Sequence, residues 1–153
     1  MSGFLYYLVA FAVVLGILVV VHEFGHYLAA RWVGVRVLRF SVGFGKPLLS
    51  RRFGRDGTEW ALAAFPLGGY VKMLDEREGE VAPEELHRSF NRQPVARRML
   101  IVAAGPAANF LLAVLLYWAL FWYGSEEFRP ILGPPAISSP AAAAGLENGE
   151  TGL

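Results

Sequence analysis

The sequence predicts a mainly α membrane protein, two transmembrane helices with a small membrane-associated β element between them. Three observations predict it. The 153 residues are 55% hydrophobic, with a mean hydropathy of +0.41, far more apolar than a soluble domain of similar charge. Two uncharged stretches each approach the roughly 20 apolar residues needed to cross a hydrocarbon core of about 30 Å. Of the 14 Lys and Arg, all but Arg129 fall between Arg31 and Arg98, so the charge of the chain is segregated between the two stretches.

The first stretch, within residues 1–30, runs from Phe4 to Val21 without a charge and continues helically to Ala30 if Glu23 is a functional exception; Arg31 closes it. A signal peptide is the competing reading, but Met1-Ser2-Gly3 carries no basic residue and no small-residue cleavage site precedes a polar mature sequence. The helix is therefore expected to be retained. His22 lies nine residues before Arg31, about 13 Å along a helix rising 1.5 Å per residue, which places His22-Glu23-Phe24-Gly25-His26 inside the membrane zone. An ionisable group there costs some 2.5 to 3.5 kcal/mol on insertion scales and marks a functional site by default, the bland alternative being a satisfied polar group of a helix bundle.

The chemistry of that segment follows from its spacing. Residues four apart share a helix face, with Cβ atoms about 5 to 6 Å apart, so His22 and His26 can present two imidazoles to one metal, with Glu23 beside them. The chain has no cysteine, which excludes thiolate catalysis and Cys-ligated zinc and leaves His and carboxylate as ligands. Zinc suits neutral imidazole and lowers the pKa of a bound water to about 7. Glu23 is placed to take that water's proton and pass it to a leaving amine, an apparatus for peptide-bond hydrolysis. Gly25 keeps one flank narrow, for a neighbouring helix or for a substrate backbone.

Residues 31–98 form the connecting region. Leu38, Phe40, Val42 and Phe44 alternate with Arg39, Ser41 and Gly43, the period of a strand with one buried face. The cluster Gly54-Arg55-Asp56-Gly57 signals a hairpin turn before a second strand, Thr58 to Phe65. Pro66-Leu67-Gly68-Gly69-Tyr70 is expected to interrupt it, and Val71 to Leu74 to resume as an extended edge able to pair with a peptide. Pro83, Glu84 and Glu85 fit the first turn of a short helix ending near Asn91, and His87 is expected to be exposed. With 13 of the basic residues in this loop (14 minus Arg129), it should be cytoplasmic and both termini should lie on the other side. The charge reports topology, and no nucleic-acid partner is expected.

The second stretch, residues 99–123, contains no charge. Gly105-Pro106-Ala107-Ala108-Asn109 breaks its regularity, because Pro106 removes a backbone donor and Asn109 adds an amide to the bilayer interior. Asn109 could bond a substrate backbone, hold an active-site group or tie two helices together. Residues 124–153 are rich in Gly, Pro, Ser and Ala, and at that length are below the size that usually folds unaided.

Four features in this order resemble the site-2 protease class of intramembrane metalloproteases, and within it the bacterial regulator-of-sigma-E protease type. They are His22-Glu23-Phe24-Gly25-His26, Pro66-Leu67-Gly68-Gly69-Tyr70-Val71-Lys72-Met73, Gly105-Pro106-x-x-Asn109-Phe110 and the tail from Ile131. The resemblance implies a multi-pass enzyme of the bacterial inner membrane, with periplasmic termini, that cleaves transmembrane segments of regulatory proteins such as anti-sigma factors. It implies His22 and His26 as ligands of Zn2+, Glu23 as the base, Gly68, Gly69, Tyr70 and Val71 in a membrane-reentrant β element that adds substrate as a strand, and Asn109 as a substrate contact, with Gly25, Gly105 and Pro106 structural at the site. The tail, with Ser139-Pro140-Ala141 and Ala144-Gly145-Leu146-x-x-Gly149, resembles the start of a truncated PDZ domain.

The family's third zinc ligand is an aspartate on a later transmembrane helix, and nothing here matches it; Asp56 and Asp75 lie in the loop. The 153 residues alone are therefore expected to be inactive. A non-catalytic membrane adaptor binding partners through a PDZ domain is the rival from another class, and intact His22, Glu23 and His26 favour the enzyme. A metal transporter would need further ionisable residues in the spans, and the second has none.

Overall fold

The computed structural model describes residues 2–124 and Pro140. The expected PDZ opening from Ile131 lies outside the described residues, Pro140 apart. The described residues divide into two units, the boundary falling between Leu116 and Tyr117. In the second, the final turns of a helix carry the ring pairs Tyr117–Phe121 and Trp118–Trp122.

Helix α1 spans Ser2–Trp32 and helix α2 spans Val95–Tyr123, and both are long and apolar enough to cross a membrane. Their large side chains face outwards, Phe4, Phe11 and Val14 on α1 and Val102, Phe110 and Leu115 on α2 among them. Moving such a side chain out of water is worth about 1.5 to 3 kcal/mol, so these faces are stable in lipid and not in solvent. The chain fits a membrane protein.

Helix α1 ends in a glycine cap. Gly34 adopts φ 87°; its N–H donates to the Arg31 carbonyl at 3.2 Å, and that of Val35 to the Ala30 carbonyl at 2.9 Å. That pair of bonds is the Schellman arrangement, which satisfies the last helical carbonyls and turns the chain. The turn delivers Val35 and Val37 into a small core with Ala29, Ala30 and Ile101, the last carried by α2. The two helices and the β element therefore meet at the Arg31 end of α1.

Strand β1 spans Val37–Phe53 and β2 spans Thr58–Met73, paired antiparallel. The four-residue turn between them is closed by Gly57 N–H to the Gly54 carbonyl, with both glycines at positive φ, where the Asp-Gly signal placed it. Each strand is used twice. Residues 49–53 pair with 58–62, and residues 39–42 pair with 69–72 on one side and with 59–62 on the other. In the last pairing Arg39 faces Glu59 and Val42 faces Leu62, so numbers rise together and those segments run parallel. The lateral order is thus 49–53, 59–62, 39–42, 69–72, and residues 69–72 form one margin of the sheet.

Three local expectations are corrected. Extended backbone continues through Pro66 to Tyr70 inside β2, because the chain changes pairing partner there, from Phe44 opposite Phe65 to Val42 opposite Gly69, instead of leaving the sheet. The acidic segment forms a six-residue 3-10 helix, Pro83–Arg88, tighter than an α-helix and common in short pieces; Glu85 and Arg88 within it pair with Arg36 and Asp56. Helix α2 runs unbroken through Pro106; the proline costs one backbone bond, and close packing of α2 on α1 accompanies it. His87 is exposed.

The alternation in β1 is also less regular than one buried face. Phe40, Ser41 and Gly43 are buried while Phe44 is exposed, since residues 39–42 have neighbours on both sides and the aromatic rings of Tyr27 and Trp60 cover Phe40.

Candidate metal centre

His22, Glu23 and His26 sit on α1 just before the core, where the helix has neighbours on two sides. The imidazoles converge: Nε2 of His22 lies 3.3 Å from Nε2 of His26. Two nitrogens bound to one zinc at about 2.0 to 2.1 Å, with tetrahedral angles, stand about 3.3 to 3.4 Å apart. The pair therefore has the bite that a single zinc requires.

The orientation of His26 is set from α2. Its Nδ1–H donates to the Ile101 carbonyl at 2.7 Å, which leaves the Nε2 lone pair for a metal, the arrangement usual for a ligating histidine. Ile101 is buried to 1% exposure, so this partner is fixed. No sequence signal points to it, because any residue supplies the same carbonyl.

Space for the rings comes from two glycines. A Cβ on Gly105 would stand 2.8 Å from Nε2 of His22 and 2.6 Å from Cε1 of His26, so the absent side chain is where the imidazoles lie. A Cβ on Gly25 would meet the Ala104 carbonyl and stand 2.8 Å from Cβ of Ala108. Gly25 is thus a helix-packing residue, and of its two readings the structure favours the neighbouring helix. Pro106 follows Gly105 on α2.

Glu23 faces the β element. A Cβ on Gly69 would lie 3.0 Å from Cγ of Glu23, 3.4 Å from Cγ1 of Val19 and 2.7 Å from the Ser41 carbonyl. The margin of the sheet therefore passes directly over the carboxylate-bearing face of α1. Of its companions, Gly68 lies against the Phe44 ring, Val71 packs on the core, and Tyr70 accepts a hydrogen bond from Arg39 at 3.1 Å while its ring stacks on Phe44. Gly69 is the member of the four that stands against Glu23 Cγ.

Asn109 also reaches the centre: its Nδ2 is 3.5 Å from Nδ1 of His22, and its Oδ1 is buried without a partner. The loop carboxylates do not approach. Asp56 is held by Arg31 and Arg88, and Asp75 by Arg77. Arg77 holds the Asp75 carboxyl below the usual range by hydrogen bonding that outweighs its burial. No set of three His, Asp or Glu that could hold a metal occurs among the described residues. The donors that are present, two imidazoles at the zinc bite distance, fit zinc.

Residues 10–146 match the family model described as peptidase family M50. The protease RseP of Yersinia pestis is 54% identical over 97% of this chain and 33% of its own. The regulator of sigma-E protease RseP of Escherichia coli K12 is 52% identical over the same shares. A Ralstonia nicotianae protein whose name assigns it to the zinc metalloproteases is 57% identical over 90% of this chain and 31% of its own. The chain spans about a third of the length of these curated relatives.

Proposed function

The chain belongs to peptidase family M50, and from that premise we propose that it carries the metal-binding histidines and the catalytic base of an intramembrane zinc endopeptidase. The observation that carries the reading is the 3.3 Å convergence of His22 and His26 Nε2 on a helix whose outward face is apolar, with Glu23 next in sequence. Zinc, when bound, supplies Lewis-acid activation of water and of the scissile carbonyl. Glu23 takes the proton of the attacking water and returns it to the leaving amine. The Gly69 margin holds the scissile segment extended beside Glu23 by backbone pairing, as an added strand, with Gly68, Tyr70 and Val71 shaping that margin.

The substrate class is a transmembrane segment of a regulatory protein. Support comes from the depth of Glu23 in an apolar helix and from the regulatory name of the relatives. Anti-sigma factors are the class that name suggests. The enzyme is placed in the bacterial inner membrane, with the 31–98 loop cytoplasmic and both termini periplasmic, on the segregation of basic residues. With two histidine ligands and one base among the described residues, the 153-residue chain alone should not hydrolyse peptide bonds.

The test is cleavage of a single-span substrate in lipid vesicles by the protein as encoded in its host. Cleavage should stop on zinc chelation and resume when zinc is restored. Cleavage indifferent to chelation contradicts the metal mechanism, and cleavage by the isolated 153 residues contradicts the predicted incompleteness.

A further inference from the structure

The hydrogen bonding of the centre fails to close at one atom. As the side chains stand, Nδ2 of Asn109 is 3.5 Å from Nδ1 of His22, Nε2 of His22 is 3.3 Å from Nε2 of His26, and Nδ1 of His26 is 2.7 Å from the Ile101 carbonyl. A neutral imidazole offers one donor and one acceptor. Donation from Asn109 to His22, from His22 to His26 and from His26 to Ile101 therefore satisfies every ring nitrogen. It leaves Oδ1 of Asn109 buried and unpaired.

Two imidazoles that share a metal through Nε2 cannot keep that series, because Nε2 of His22 must offer its lone pair. The His22 proton then sits on Nδ1, and the atom facing Asn109 changes from acceptor to donor. His26 needs no such change, since the Ile101 carbonyl can only accept. A half-turn of the Asn109 carboxamide about Cβ–Cγ exchanges Nδ2 with Oδ1 and brings the unpaired oxygen to the Nδ1–H of His22. Every ring nitrogen then has its role, and the unpaired position of the carboxamide passes from Oδ1 to Nδ2.

We propose that Asn109 is a positioning residue for the metal centre, holding His22 in the Nδ1–H tautomer through Oδ1, its carboxamide turning over as the tautomer changes. This rests on the reading of His22 and His26 as metal ligands. It differs from a substrate contact in what it requires: an acceptor suffices, and the effect falls on metal affinity before any substrate is present.

The test uses the chain in detergent micelles with ¹⁵N-labelled histidine, the ring-nitrogen shifts reporting each tautomer during a zinc titration, and a chromophoric chelator competing for the metal. Zinc should convert His22 from Nε2–H to Nδ1–H. Asn109→Ala should weaken zinc about 10- to 100-fold, the usual effect of losing such a partner, while Asn109→Asp, which keeps an acceptor, should bind as tightly as wild type or tighter. Wild-type affinity in Asn109→Ala, affinity in Asn109→Asp as weak as in Asn109→Ala, or zinc on Nδ1 of His22 overturns the proposal. No zinc shift at either histidine of the wild-type chain overturns the metal reading beneath it, a result distinct from the other three.

Discussion

Gly69 lies against Glu23, so close that a methyl group on Gly69 would stand 3.0 Å from Cγ of Glu23 while meeting the Ser41 carbonyl at 2.7 Å. Ser41 is buried in the sheet and its backbone cannot yield, so Gly69→Ala must displace either the sheet margin or the Glu23 side chain. A shift of about 1 Å at a reacting group can cost about 10²-fold in rate. Cleavage of a transmembrane substrate by the intact protein should fall by about that factor, with zinc content unchanged as measured by metal analysis.

Gly105→Ala places a methyl where the two imidazoles meet. Alanine is a better helix former than glycine by about 1 kcal/mol, so helicity by circular dichroism should hold or rise. Zinc uptake measured by chelator competition should nevertheless be lost, which separates a defect of the site from a defect of the helix.

Glu23→Gln keeps the shape and removes the base. Cleavage should drop by about 10²- to 10⁴-fold, the usual contribution of a positioned acid–base group. Membrane insertion and zinc content should match wild type; equal cleavage by this variant would remove Glu23 from the mechanism.

Asp56 fastens the hairpin turn to the end of α1, pairing with Arg31 at 3.1 Å and with Arg88 at 2.7 Å. Burial pushes its carboxyl up, but the Arg88 hydrogen bond and the charges of Arg88, Arg31 and Arg36 outweigh burial and hold it below the usual range. A depressed folded value means that the contribution is full above the unfolded pKa of about 3.9 and is lost as pH falls through the folded one. Asp56→Asn should therefore cost about 1 to 3 kcal/mol near neutrality. Thermal unfolding in detergent should show that gap closing as acid protonates the wild-type carboxyl.

The sequence made the helices, the turn and the shared helix face of His22 and His26 legible, because apolar length, an Asp-Gly turn and an i, i+4 pair of histidines are local signals. The double use of each strand was not legible, since pairing of residues 39–42 with both 59–62 and 69–72 depends on tertiary placement. Pro66 and Pro106 misled for one reason: a proline reports a missing donor, and whether an element ends there depends on what packs around it. The Ile101 carbonyl and the contact of Gly69 with the Glu23 side chain left no trace in the sequence, as the first is a backbone group that any residue supplies and the second depends on how the sheet margin crosses α1. The family relationship covers residues 10–146.

The central claim is that His22 and His26 together hold the metal, and zinc-edge X-ray absorption of the purified zinc-loaded protein tests it most directly. Two imidazole nitrogens at about 2.0 to 2.1 Å from zinc, one of them lost in His26→Ala, is the predicted result. An unchanged imidazole count in that variant, or none in the wild type, would contradict the account.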